Sequence, residues 1–298
     1  MPKLTENLYV QNPGESLLGL LESSRGAGSL HAATGGGEHR LAHIINTYRT
    51  PPDSREAQIH RATYATMQTA REFTGMKGAV EFVSVQFPED RDVAPDFFYQ
   101  AGDLQRSVLD LRTFTVPRKL PLVFDLLHHG IEAIQNVEYI IFTNTDINLM
   151  PYFYDCIVNI LGCGFDVIVA NRREIPHYSR EPDLTAIMYA DYGVIHEGFD
   201  CFVFPVEMFR EFVSSQACVG AGLVMRGLLY NLVAHAKKML MLRDCHLTFH
   251  LGQDRAWQDP SLKDYIDYNR LQATNVMREL SADQEKSRLL KIFTTGKP

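Results

Sequence analysis

Short apolar runs alternating with stretches of helical periodicity constrain this chain more than any other feature. Residues 41–46 (LAHIIN), 80–87, 137–143 (VEYIIFT) and 166–170 (DVIVA) read as buried strands. Between them, 56–72, 121–135 and 151–161 read as helices, the second with Pro121 in its first turn. Strand, loop, helix, strand in this order is how a parallel sheet is built, because each crossover lays a helix over the sheet. The expected fold is therefore a single α/β domain with a mainly parallel central sheet flanked by helices.

Around that frame the chain is less regular. Residues 1–38 are rich in Gly and Ser and end in Gly35-Gly36-Gly37, which suggests a flexible N-terminal arm with one short helix near Leu17. The stretch 88–117 reads as a long active-site loop with a helical part near 104–111. Residues 171–182 read as a loop, 201–205 as an apolar strand, and 206–212 and 221–238 as helices. The expected organisation is a domain over 39–260, with halves at about 39–150 and about 151–260. A charged helical extension over 261–298 is expected on the surface.

Charge and cysteine usage narrow the partners. A formal charge of -7 offers no basic field for a polyanion, so nucleic acid is not expected as a partner. The five cysteines form no C-x-x-C pair and sit mostly in apolar stretches, which suggests reduced thiols and a cytoplasmic location. No signal-like h-region is visible, and no run reaches the roughly 18 apolar residues of a membrane span.

The strongest local signal is the apolar run 137–143 breaking into Asn144-Thr145-Asp146-Ile147-Asn148. In an α/β sheet ligands bind at the carboxyl ends of strands, and a carboxylate there suits Mg²⁺ or Mn²⁺ bridging substrate phosphates. An Asx turn leaving the strand is the plainer alternative. A second signal is His250-Leu251-Gly252-Gln253-Asp254-Arg255-Ala256-Trp257. A neutral imidazole can bind Mn²⁺, a glycine admits a diphosphate near the backbone, and an arginine neutralises phosphate. Alternatively His250 is a hydrogen-bonded core histidine. A third is His196-Glu197-Gly198-Phe199-Asp200 before an apolar strand, where the alternative is a solvated loop.

An apolar strand, N/D-x-D, an apolar residue and then a helix resemble the DxD region of GT-A glycosyltransferases, over residues 40 to about 258. The resemblance implies a Rossmann-like GT-A domain, its nucleotide-binding half at about 39–150 and its acceptor-binding half at about 151–260, in which Asp146 takes the place of the metal-binding last Asp. Asn144 stands where the first Asp would be, with one negative charge fewer, and Asn148 joins Asp146 and His250 as a candidate ligand. The run from His250 is similar to the H-F-x-G-x-x-K-P-W element of glycogenin-like retaining transferases, one residue shorter between His and Gly, with Gly252 and Arg255 near the diphosphate. The resemblance also implies base and ribose contacts from Asn46 and Tyr48, and diphosphate or sugar contacts from Arg118 and Arg172. It places Asp200, and after it Glu197, on the acceptor side, where a carboxylate can take a hydroxyl proton.

The implied function is metal-assisted transfer of a sugar from a nucleotide-diphosphate donor, UDP-hexose favoured, to a glycan or small-molecule acceptor. Mn²⁺ or Mg²⁺ and the sugar nucleotide are the implied cofactors. A sugar nucleotidyltransferase is the nearest enzymatic alternative, although no glycine-rich basic signature follows the first strand. A protein of the same fold that binds sugar nucleotide or carbohydrate without turnover is the other. Neither G-x-x-x-x-G-K nor G-x-S-x-G occurs, which argues against P-loop kinases and α/β-hydrolases.

Overall fold

The computed structural model describes residues 7–24, 39–74, 79–176, 185–252 and 259–295. Among them the chain order is β1 (Leu8–Gln11), α1 (Leu17–Ser24), β2 (Leu41–Asn46), α2 (Arg55–Phe73), β3 (Val80–Val85), β4 (Tyr99–Gln100), α3 (Val123–Glu132), β5 (Tyr139–Thr143), β6 (Ile147–Leu149), α4 (Phe153–Gly162), β7 (Val167–Ile175), α5 (Thr185–Ala190), β8 (Val194–Pro205), α6 (Arg226–His235), β9 (Met239–Leu242), β10 (Thr248–Leu251), α7 (Lys263–Leu280) and α8 (Gln284–Thr295). The sheet runs β1-β9-β7-β8-β5-β2-β3-β4. Only β8 opposes its neighbours β7 and β5; the other pairs along this path are parallel. β10 lies parallel to the last residues of β7 and antiparallel to β6.

Successive residues of each central strand feed two apolar layers, as the pleat requires. Ala42, Ile44, Ile140, Phe142, Val169, Phe202 and Phe204 pack with α3, α6, α7 and α8 on one face. Leu41, Ile45, Ile141, Ile168, Cys201 and Val203 pack with α1, α2 and α4 on the other. With helices over both faces, all six residues of β2 are buried. The one titratable group in that strand, His43, bonds the Tyr154 hydroxyl at 2.8 Å and the Thr143 hydroxyl at 2.9 Å. Burial pushes its pKa down to about 3, so it is a neutral core histidine.

The α/β class and the flanked, mainly parallel sheet are as expected, and four local expectations are corrected. Leu8–Gln11, expected in a flexible arm, is an edge strand registered on Met239–Leu242. The run Met239–Leu242 follows a helix directly, and four apolar residues carry no period that separates strand from helix. Arg172 and Arg173, expected in a loop, belong to β7, and His196–Asp200 belong to β8, since the two strands pair well beyond their apolar cores. The C-terminal helices are amphipathic rather than superficial: Ala273, Val276, Leu280, Leu289 and Leu290 complete the larger apolar layer. All five cysteines are free thiols, and no helix of the described residues is long and apolar enough to cross a membrane.

Candidate functional site

Asp146 owes its place to a turn fixed from both sides. After β5 ends at Thr143, the Ile147 amide donates to the Asn144 carbonyl at 3.2 Å, and the chain returns as β6. The Thr145 hydroxyl donates to the Asn46 carbonyl at the end of β2, which ties the turn to the neighbouring strand. The backbone therefore does form a turn, as the plainer alternative held. The Asp146 carboxylate is not consumed by it: Oδ1 is enclosed without a hydrogen-bond partner among the described residues, and Oδ2 lies 3.4 Å from Nε2 of His250.

His250 reaches this position because β10 pairs with β6, setting His250 opposite Ile147. Its Nδ1 lies 2.9 Å from the Gly252 carbonyl. A carbonyl only accepts, so Nδ1 carries the hydrogen and Nε2 faces the carboxylate. Burial disfavours the imidazolium, but the hydrogen bond and charge of Asp146 outweigh it, and the pKa of His250 is raised. Burial likewise opposes ionisation of Asp146, and His250 and then Arg172 outweigh it, leaving that pKa lowered. Asn148 is fully buried behind the turn; its amide nitrogen is 3.5 Å from the Asp146 carbonyl and its Oδ1 has no partner.

A cleft opens beside the turn, lined by Asn46, Tyr48, Thr143, Asn144, Thr145 and Asp146 together with Leu126, Phe142, Val219 and Gly220. The Asn46 amide nitrogen is bound to the Val85 carbonyl at 2.7 Å, so its carbonyl end remains for a ligand. Tyr48 is half-exposed, its ring edge-on to His60 with centroids 4.7 Å apart. Burial and the charges of Asp146 and Glu56 push its hydroxyl up to about 12.

Four polar side chains continue the site from β7 and β8. Arg172 Nη1 donates to Asp200 Oδ2 at 2.6 Å, and its Nη2 is 3.5 Å from Glu174 Oε1. His196 stands between the two carboxylates, at 3.9 Å from Glu174 and 3.8 Å from Asp200. Glu197 is exposed. Arg118 is placed elsewhere: its guanidinium is bound to Ser261 at 2.8 Å and Asp259 at 3.3 Å, on the turn before α7. Arg255 and Trp257 lie outside the described residues.

Gly252 adopts φ +91°, and a Cβ there would stand 1.8 Å from Arg55 Nη2. Reading the sequence missed Arg55, which sits at the start of α2, far along the chain, with nothing local to mark it. Whatever the guanidinium does, the positive φ gives Gly252→Ala a backbone strain of about 1–2 kcal/mol. The strained residue is the one whose carbonyl accepts from Nδ1 of His250. A melting curve of the variant against wild type checks the cost.

No protein-family model matches the chain, and no curated protein matches it in sequence. Solved structures match it by superposition. The match to S. aureus TarS residues 1–349, in complex with UDP-GlcNAc, covers 82% of this chain and 66% of that one, at 12% identity and TM-score 0.45. The match to 4-diphosphocytidyl-2C-methyl-D-erythritol synthase of Anaerococcus prevotii covers 78% and 96%, at 11% identity and TM-score 0.40. The match to Rv0371c of Mycobacterium tuberculosis, in complex with manganese, covers 77% and 98%, at 14% identity and TM-score 0.42.

Proposed function

We propose that this chain is a metal-assisted glycosyltransferase that moves a hexose from a UDP-linked donor to a hydroxyl acceptor. One observation carries the reading: the unspent carboxylate of Asp146, at a strand end, faces Nε2 of His250 beside a cleft lined by Asn46 and Tyr48. The donor set fits Mn²⁺ or Mg²⁺, with a carboxylate oxygen lacking any other partner, an imidazole nitrogen of defined tautomer, and the orphaned Oδ1 of Asn148 behind them. Among the described residues no three His, Cys, Asp or Glu side chains gather to hold a metal alone. This suits an ion that takes its remaining oxygens from a diphosphate and water.

In this reading Tyr48 stacks on the base, and the carbonyl end of Asn46 and Asn144 contact the nucleoside. Arg172 approaches the diphosphate and the sugar from the other side. Gly252 holds the Nδ1 hydrogen of His250 and keeps Nε2 directed at the ion. When bound, the ion neutralises charge that gathers on the departing diphosphate. The acceptor enters beyond Arg172, where Asp200, Glu174 and His196 supply hydroxyl-binding groups.

The test is a thermal-stability screen of UDP-, GDP- and CMP-sugars with and without Mn²⁺, followed by assay of UDP release. A Mn²⁺-dependent shift with UDP-sugars and measurable UDP release is expected. No shift with any sugar nucleotide would overturn the proposal, and binding without release would leave a sugar-nucleotide-binding protein.

The raised pKa of His250 adds a pH dependence. Metal binds the deprotonated ring, whereas without metal the ring holds its proton to a pH above the ordinary value of about 6.5. Asp146, with its lowered pKa, stays ionised throughout this range. Mn²⁺ affinity should therefore rise with pH, by up to about tenfold per unit, and level off only above the raised pKa. His250→Gln should flatten that dependence, as read by isothermal titration at several pH values.

A further inference from the structure

Resting on the transfer reading above, we propose that Glu174 is the carboxylate that takes the acceptor's proton, and that Asp200 serves to position Arg172. Glu174 is the register partner of His250 across the parallel β7 and β10 pair, so the two side chains leave the same face of the sheet side by side. It therefore stands next to the metal-facing imidazole, where the sugar end of a bound diphosphate donor emerges.

The two carboxylates of the cluster are engaged very differently. Asp200 Oδ2 receives the Arg172 guanidinium at 2.6 Å, and both side chains are largely buried, with 12% and 13% exposure. Glu174 is more open, at 20%, and its contacts are long, 3.5 Å to Arg172 and 3.9 Å to His196, both through Oε1. Oε2 is the oxygen left for a substrate hydroxyl. His196 is excluded as the base by its own hydrogen bond. The Gly198 amide donates to its Nδ1 at 3.0 Å, so the lone pair is used there and the neutral ring carries its proton on Nε2, toward Glu174.

In the step, Glu174 takes the proton of the acceptor O–H while the acceptor oxygen bonds to the anomeric carbon. The bond from that carbon to the phosphate oxygen breaks, and its electron pair leaves on the nucleoside diphosphate, beside Arg172. Water in place of the acceptor gives free sugar and UDP by the same balance.

The experiment compares wild type, Glu174→Gln and Asp200→Asn with UDP-glucose and Mn²⁺, reading donor Kd and the rate of UDP release separately. Glu174→Gln is expected to lower release about 100- to 10,000-fold with Kd within about threefold of wild type. Asp200→Asn is expected to weaken donor binding as well, which a base would not do. Should Glu174→Gln fail to fold, Glu174→Asp, which keeps the charge but shortens the reach, is expected to lose at least about tenfold in rate at unchanged Kd. Unchanged release in Glu174→Gln overturns the assignment while leaving the transferase reading intact. Wild type that binds UDP-glucose without releasing UDP overturns the transferase reading and the base role with it, and wild type that does not bind it overturns the reading of the site itself.

Discussion

Asp146→Asn will abolish Mn²⁺-dependent binding of UDP while changing the melting temperature little at a pH above the raised pKa of His250, where the ring is neutral. The turn that carries Asp146 is closed by backbone and by Thr145, and the contact of its side chain is with Nε2 of His250 at 3.4 Å. Asn preserves the volume and suits the same turn. What it removes is the negative charge and the carboxylate 3.4 Å from His250 Nε2, which is the strongest protein ligand of the proposed ion site. Residues that only orient a metal ligand already contribute about 10- to 100-fold in affinity, so loss of the ligand itself should exceed about 100-fold. UDP binding measured with Mn²⁺ and with excess chelator separates the metal-dependent part, which should vanish in the variant. An equal Mn²⁺ response in Asp146→Asn and wild type would remove the ion from this turn.

The position of Asp146 was legible because two independent signals coincide there, the apolar strand 137–143 and the abrupt polar break after it. Its meeting with His250, about a hundred residues later in the chain, follows from β10 pairing back on β6, which no local pattern announces. Arg118 shows the limit of reading charge alone. An arginine before a helix looks the same in sequence whether it faces a phosphate or, as here, Asp259 and Ser261. The first half of β8 was hidden for a different reason. Its residues are exposed or half-buried, Gly198 interrupts them, and pairing with β7 overrides their weak intrinsic preference for a strand. That override is what carries Asp200 from a supposed loop onto Arg172, and Glu174 into the site.

Asp200→Asn should lower both stability and donor affinity, and the pair of effects defines what Asp200 does. The ion pair with Arg172 is largely buried, so deleting one partner strands the other charge, a change that costs about 3–5 kcal/mol where no second partner exists. Here Glu174 Oε1, 3.5 Å from Nη2, keeps part of the compensation, so the lower end of that range is expected. For a chain of this length that is a fall of several degrees in melting temperature, at about 2–4 °C per kcal/mol. Arg172→Met removes the guanidinium instead, and in the double variant Arg172→Met/Asp200→Asn no charge is left stranded between these two positions. Stability should then recover toward wild type, whereas donor affinity should stay low in all three variants, because the guanidinium proposed to meet the diphosphate is misplaced in one and missing in two. A double-mutant cycle on melting and on UDP-glucose affinity isolates the coupling. If Asp200→Asn instead melts like wild type, binds donor normally and loses about 100- to 10,000-fold in UDP release alone, Asp200 is the acceptor-side base and its bond to Arg172 is incidental.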